Sequence, residues 1–214
     1  MPHFKSAARR FFSLKILNLD MKKMLFILLL FPVIVVSQRF DLQYGKLQNL
    51  KGISEYNVTF DYNGLNVHGF ETEELYLREK MKKREEKGHD EDFKAEWYGS
   101  RKQLYEPAFI NYFNKSFKKG EIKVGVFPEA KYTMHVKTLW IYPGYNAGTA
   151  IEPAKITALI TVSETQNPDN VLVKILFEKS IGLEHELGNT LGDRISWAYE
   201  KLAKNLSLQL KRFL

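Results

Sequence analysis

The chain has 214 residues, with 44% hydrophobic and 27% charged side chains and no cysteine. That length and apolar content suffice for one domain with a buried core and exclude a disordered or collagen-like chain; the missing thiols exclude disulfides, thiolate metal sites and a cysteine nucleophile. Of the net charge of +7, residues 1–37 supply five units (six basic side chains against Asp20), so the rest of the chain carries only +2 and the basic balance gives no support to nucleic-acid binding.

Met21-Lys22-Lys23 opens a run from Met24 to Ser37. At about fourteen residues this run is shorter than the roughly twenty a bilayer span requires. A positive start, a short apolar centre and the exit Val35-Val36-Ser37 together predict a secretory signal peptide cleaved between Ser37 and Gln38, with an uncleaved anchor as the alternative. Residues 1–20 then read as an extension ahead of a true initiator at Met21. They also share the acid-poor, Arg- and Ser-containing make-up of a mitochondrial presequence. Arg9-Arg10-Phe11-Phe12 faintly matches a twin-arginine signal, although Asp20, Lys22 and Lys23 separate it from the apolar run. The expectation is an exported chain that meets a membrane only through its leader.

Residues 38–54 form a polar lead-in, either a short strand or an ordered tether. Tyr56, Val58, Phe60 and Tyr62 alternate with polar neighbours, which predicts a strand that ends at Asn63-Gly64. Thr72-Glu73-Glu74 supplies an N-cap and an acidic first turn for a helix over 72–87, closed by Gly88, with Phe70, Leu77 and Met81 as a thin apolar stripe. The mixed charges over 80–87 read as a solvated face or, alternatively, a partner-binding face. From 92 to 117 the pattern is helical but interrupted: Phe93, Trp97 and Leu104 mark a first segment, Pro107 fits the first turn of a second, and Phe109, Tyr112, Phe113 and Phe117 line one side. Four strands follow. Ile122, Val124 and Val126 share one face of the first. Tyr132, Met134, Val136, Trp140 and Tyr142 share one face of the second. Ile156, Ala158, Ile160 and Val162 do so in the third, and Val171, Val173, Ile175 and Phe177 in the fourth; the last two strands form a hairpin around the turn cluster 166–170. Asn189 or Thr190 opens a final helix whose stripe is Leu191, Ile195, Ala198, Leu202, Leu206 and Leu210. The order predicts an α+β, two-layer domain over 55–214: a mixed sheet of about five strands with two or three helices packed on it, closed by a C-terminal amphipathic helix.

Asn57-Val58-Thr59-Phe60-Asp61-Tyr62, Lys123-Val124-Gly125-Val126-Phe127-Pro128, the stretch from Lys131-Tyr132 to Pro143-Gly144, and Asp193-Arg194-Ile195-Ser196-Trp197-Ala198-Tyr199 carry a resemblance. In that order they resemble the small α/β domains of the TolB amino-terminal region and of lipoproteins related to the curli-secretion protein. The resemblance implies a role in envelope assembly or trafficking with a protein partner, and no catalysis. Many members of those families are lipoproteins; this chain has no cysteine to lipidate, which implies a soluble periplasmic or secreted protein.

No catalytic, cofactor or metal site is expected from the motifs. Glu184-His185-Glu186 lacks the second histidine of a zinc-protease helix, because position 189 is Asn. His68, near Gly69, and His135, on the polar face of a strand, have no partner at ligand spacing. There is no phosphate-cradling glycine loop and no nucleophile elbow. The adjacent acids Glu73/Glu74 and Glu85/Glu86 diverge around a helix and read as salt-bridged surface. Three Asn-x-Ser/Thr sites, at Asn57, Asn114 and Asn205, are discounted as glycan acceptors, Asn57 and Asn205 because they fall within regular elements. The one candidate ligand-binding segment is 140–148, in which Trp140, Tyr142, Tyr145 and Asn146 end a strand and enter a glycine-containing loop. It is either a stacking platform for a sugar or peptide, or a cap on the core. The functional expectation is therefore a non-enzymatic envelope domain binding a protein partner. The alternatives are a small-ligand or glycan binder using 140–148, and an enzyme whose site assembles only in three dimensions.

Overall fold

The structure, a computed structural model, describes residues 40–85, 88–148, 150–182 and 190–213. The leader with its Ser37–Gln38 junction, and the segment around His185, lie outside the described residues. The chain runs β1 (Phe40–Gly45), a 3₁₀ turn (Leu47–Leu50), β2 (Glu55–Asp61), β3 (Asn66–Val67), α1 (Glu73–Glu85), α2 (Asp90–Ser100), a π turn (Arg101–Tyr105) and α3 (Glu106–Ser116). There follow β4 (Lys123–Gly125), β5 (Tyr132–Tyr142), β6 (Tyr145–Asn146), β7 (Ile151–Glu152), β8 (Lys155–Glu164), β9 (Val171–Ile181) and α4 (Leu191–Leu210). This is the expected α+β class, with a mixed sheet and a closing helix.

The main sheet has the order β1-β9-β8-β5-β2-β4. Pairing is antiparallel from β1 to β5, whereas β2 lies parallel to both β5 and β4. β3 continues the line of β2 along β5. The lead-in is thus an edge strand, anchored by the buried Leu47 and Leu50 of the turn that follows it.

Period-two patterning decides which face is covered. Ile156, Ala158, Ile160 and Val162 of β8 are all buried, as are Val173, Ile175 and Phe177 of β9 and Met134 and Val136 of β5. They meet α3 and α4, whose stripes Phe109/Phe113/Phe117 and Ile195/Ala198/Leu202/Leu206/Leu210 are buried too. Tyr199, on the same side of α4, is fully buried, stacks on Tyr105 at 5.3 Å and brings its hydroxyl 2.5 Å from Thr138 Oγ1. The alternate residues make an uncovered face, across which Tyr44, Lys174, Thr161, His135 and Thr59 form one row over five strands.

Local chemistry sets the helix ends. Thr190 caps α4: its hydroxyl accepts the Asp193 N–H, and the Asp193 carboxylate accepts the Thr190 N–H, a reciprocal capping box. Thr72 Oγ1 accepts the Leu75 N–H at 3.2 Å at the start of α1. Pro107 lies in the first turn of α3. It has no N–H for the carbonyl four residues back and its ring crowds that carbonyl, so the helix widens into the π turn just before it rather than breaking.

Three expectations are corrected. β4 stops at Gly125 and Val126 is 80% exposed. The Phe127 N–H bonds Asn57 Oδ1 at 3.0 Å, which turns the chain out of the strand there. Glu73 is not surface: it is buried, and its carboxylate accepts from both the Trp97 indole and the Arg101 guanidinium, tying α1 to α2 and the π turn. The third concerns Trp140 and Tyr142 and is developed below. Asn114 proves structural, since its amide both donates to and accepts from the Val124 backbone at 2.9 Å and clamps β4 to α3.

Candidate functional site

The residues singled out at the end of β5 owe their position to a break in its register. Thr138 pairs with Ala158 but Trp140 pairs with Thr157, so a bulge inserts one residue between them. An extra residue reverses the alternation beyond it. Thr138 and Ile141 face the helices and are buried, while Trp140 and Tyr142, opposite Thr157 and Lys155, turn to the uncovered face. Unbroken alternation would have put both rings beside Val136, as caps on the core; the bulge excludes that placement.

On that face the Trp140 and Tyr142 rings stack 6.4 Å apart with 15° between their planes. β3 delivers the third ring: the His68 N–H bonds the Ile141 carbonyl at 2.8 Å, and the imidazole stands edge-on to Trp140 at 5.7 Å and to Tyr142 at 5.0 Å. Two ammonium groups flank the rings, Lys179 5.9 Å from the Trp140 centroid and Lys155 5.0 Å from that of Tyr142. Lys179 sits where β9 bulges opposite β8, and its φ of 49° is in the left-handed region that side chains rarely occupy. That local strain places its side chain beside the rings. Glu152 of β7 accepts from the Tyr142 hydroxyl and from Lys155, each at 2.7 Å. The hydrogen bond to Glu152, aided by burial, pushes the Tyr142 phenol up to about 12, so the ring stays neutral and donating. The Lys155 and Tyr142 hydrogen bonds hold the Glu152 carboxyl below its ordinary range. These six side chains line a hollow of about 250 Å³.

His68 and Tyr142 also form a wall of a larger cleft of about 820 Å³, lined on its other sides by α1, α2 and the start of α4. This volume falls within the roughly 300–1,000 Å³ typical of ligand pockets. Its floor is aromatic, from Phe70, Tyr76 and Phe93, and its rim is charged. Lys80 and Arg84, one turn apart on α1, lie over rings of that floor, Lys80 5.5 Å from Tyr76 and Arg84 4.2 Å from Phe93. Lys83 and Arg194 add two more cations, and Asp92 and Glu96 of α2 are the two carboxylates. Arg194 donates to the Pro143 carbonyl at 3.4 Å, fastening α4 to the exit of β5. Gly144 makes that exit possible: its φ is 65°, and a Cβ there would sit 2.3 Å from the Glu152 carbonyl oxygen.

Of the four side chains expected from sequence, Trp140 and Tyr142 form the platform and Tyr145, 47% exposed, lines the larger cleft. Asn146 does not join them; its Oδ1 accepts the Gly148 N–H at 3.0 Å and shapes the turn between β6 and β7. His68, Lys155, Lys179, Lys80 and Arg84 were not expected. Lys80 and Arg84 share α1, whereas His68, Lys155 and Lys179 come from the end of β3, from β8 and from β9, and only the pairing of those strands with β5 and with one another brings them together.

A second polar group lies elsewhere on the uncovered face. His135 Nδ1 is 2.9 Å from Thr59 Oγ1, and its Nε2 is 3.8 Å from Asp61 Oδ2, with Lys137 Nζ 3.3 Å from the same oxygen. A hydroxyl, an imidazole and a carboxylate in this order share the parts of a hydrolytic triad. However, the Asp61–His135 gap is beyond hydrogen-bond reach and Asp61 is engaged by Lys137. For Asp61, burial raises the carboxyl pKa, but the Asn63 N–H and Lys137 outweigh it and leave the group below its ordinary value. Among the described residues no cluster of histidines and carboxylates has metal-binding geometry.

No protein-family model, curated protein or solved structure matches this chain.

Proposed function

We propose that this chain is an exported, non-enzymatic binding module that seats a sugar ring on the Trp140–Tyr142 platform. The observation that carries the reading is the register bulge, which turns two stacked aromatic rings out of the core and into a hollow edged by His68, Lys155 and Lys179. Rings that lie side by side on the uncovered face, with the Tyr142 hydroxyl already hydrogen-bonded to Glu152, suit the apolar face and hydroxyl rim of a saccharide. Export rests on the leader's sequence pattern, and an envelope location on the resemblance to small envelope domains. The test is a titration of the chain with a panel of oligosaccharides, read by tryptophan fluorescence and calorimetry. At least one saccharide gives a saturable signal that Trp140→Ala abolishes while Trp197→Phe retains it. If no member of the panel binds, or if Trp140→Ala binds as the parent does, the platform is not the site.

A protein partner remains the second reading, and one observation favours it. Among the described residues β1 pairs only with β9, and its Leu42 and Tyr44 are exposed at the sheet edge, where a strand of another chain can add.

A further inference from the structure

We infer that the ligand is an acidic saccharide, its ring on Trp140 and Tyr142 and its anionic group held in the larger cleft by Lys80 and Arg84. This rests on the platform reading and adds the chemical class of the ligand.

The argument begins with charge. The larger cleft is rimmed by Lys80, Lys83, Arg84 and Arg194 against Asp92 and Glu96, and the adjoining hollow by Lys155 and Lys179 against Glu152. Among the described residues cations therefore outnumber carboxylates in each, although residues 38–214 together carry only +2. Placement matters as much as number. Lys83 is bound to Glu79 at 2.7 Å and Lys155 to Glu152, so neither charge is fully available. Lys80 and Arg84 are instead held against aromatic rings, and Arg84 donates one N–H to the Lys80 carbonyl at 3.0 Å. A guanidinium has five N–H donors, and among the described residues that one bond leaves donors over for a ligand. A carboxylate or sulfate suits that donor set, because Arg binds either through two parallel N–H groups. Asp92 is itself drawn to His89, with Nδ1 3.5 Å from Oδ2.

Continuity links the two halves. His68 and Tyr142 belong to both hollows, so a ring on the platform and an acid group beside Arg84 can belong to one short oligosaccharide. Neutral sugars satisfy the platform and leave the cationic rim unused.

The test compares three tetrasaccharides on the full chain by calorimetry: a neutral one, a uronic-acid one and a sulfated one. At low salt an acidic ligand binds about ten-fold or more tightly than the neutral one, and its affinity falls as salt rises, as expected of partly exposed charge contacts. Arg84→Gln and, separately, Lys80→Gln abolish that preference and the salt dependence without touching neutral binding, whereas Trp140→Ala weakens all three. Arg84 packs on Phe93, so each variant is checked by its unfolding midpoint, and Lys80→Gln stands alone if Arg84→Gln is unstable. Preference for the uronate or the sulfate identifies the acid. Equal affinity for neutral and acidic ligands, or an acid preference that survives Lys80→Gln, overturns the inference and leaves the platform reading standing. Binding of none of the three overturns both.

Discussion

Replacing Glu73 by Ala isolates an ion pair between a buried carboxylate and a largely enclosed guanidinium. The Glu73 and Arg101 side chains are 9% and 16% exposed. The carboxylate also accepts the Trp97 indole N–H, and Arg101 lies over the rings of Tyr62 at 4.5 Å and Tyr98 at 4.8 Å. Ala removes the only acid of this group and leaves a half-enclosed guanidinium and a buried indole N–H without their acceptor. Breaking a buried pair costs about 3–5 kcal/mol, and an orphaned donor about 1–3 kcal/mol. Both donors share one carboxylate oxygen, so the two costs overlap rather than add; the residual exposure of Arg101 argues for the lower end, about 3 kcal/mol in all. Glu73→Gln keeps an oxygen acceptor and loses only the charge, so it should cost about half as much. Urea unfolding at neutral pH measures this directly through a lower midpoint at unchanged slope. A cycle with Arg101→Met should show the double variant less destabilised than the sum of the singles by about 1.5 kcal/mol or more. A loss under about 1 kcal/mol for Glu73→Ala, or no coupling in the cycle, would refute the reasoning and return Glu73 to the status of a solvated surface acid.

Two further outcomes follow from the geometry. Gly144→Ala forces a side chain onto a left-handed backbone and against the Glu152 carbonyl; it should cost about 1–3 kcal/mol and weaken any Trp140-dependent ligand signal, both readable from one preparation. Asp61, whose folded pKa is depressed, contributes stability that is fully present above the ordinary aspartate value of 3.8 and is lost as pH falls through the lower folded value. Asp61→Asn should therefore flatten the acid end of the stability–pH profile below that point and leave its shape at neutral pH unchanged.

The sequence was most legible where one periodicity runs unbroken. Four alternate apolar residues in β8 and the three- and four-residue spacing of α4 each correspond to buried stripes, because burial on a single face leaves the pattern no freedom. The start of α4 was legible to within one residue, Asn189 or Thr190, because capping is local, and Thr190 is the cap. The site was legible only in part. Trp140 and Tyr142 were identifiable as a candidate pair, but their face was not, since the bulge that reverses it is set by pairing with β8 and has no signature within β5 itself. His68 looked like a turn residue because β3 is only two residues long, too short for any period to show. Glu73 looked like half of a surface acid pair because its partners, Trp97 and Arg101, lie 24 and 28 positions away.

The order of strands has a consequence for how the molecule comes into being. β8 and β9 are joined by a short turn and zip together locally, but β2 must wait for β5, some 76 residues downstream, and β1 for β9, 128 to 137 residues on. Closing such long loops is slow. A chain emerging from the ribosome thus carries β1 unpartnered until β9, the last strand, has been made. The edge strand β1, first to be made, is therefore the last of the sheet to be paired.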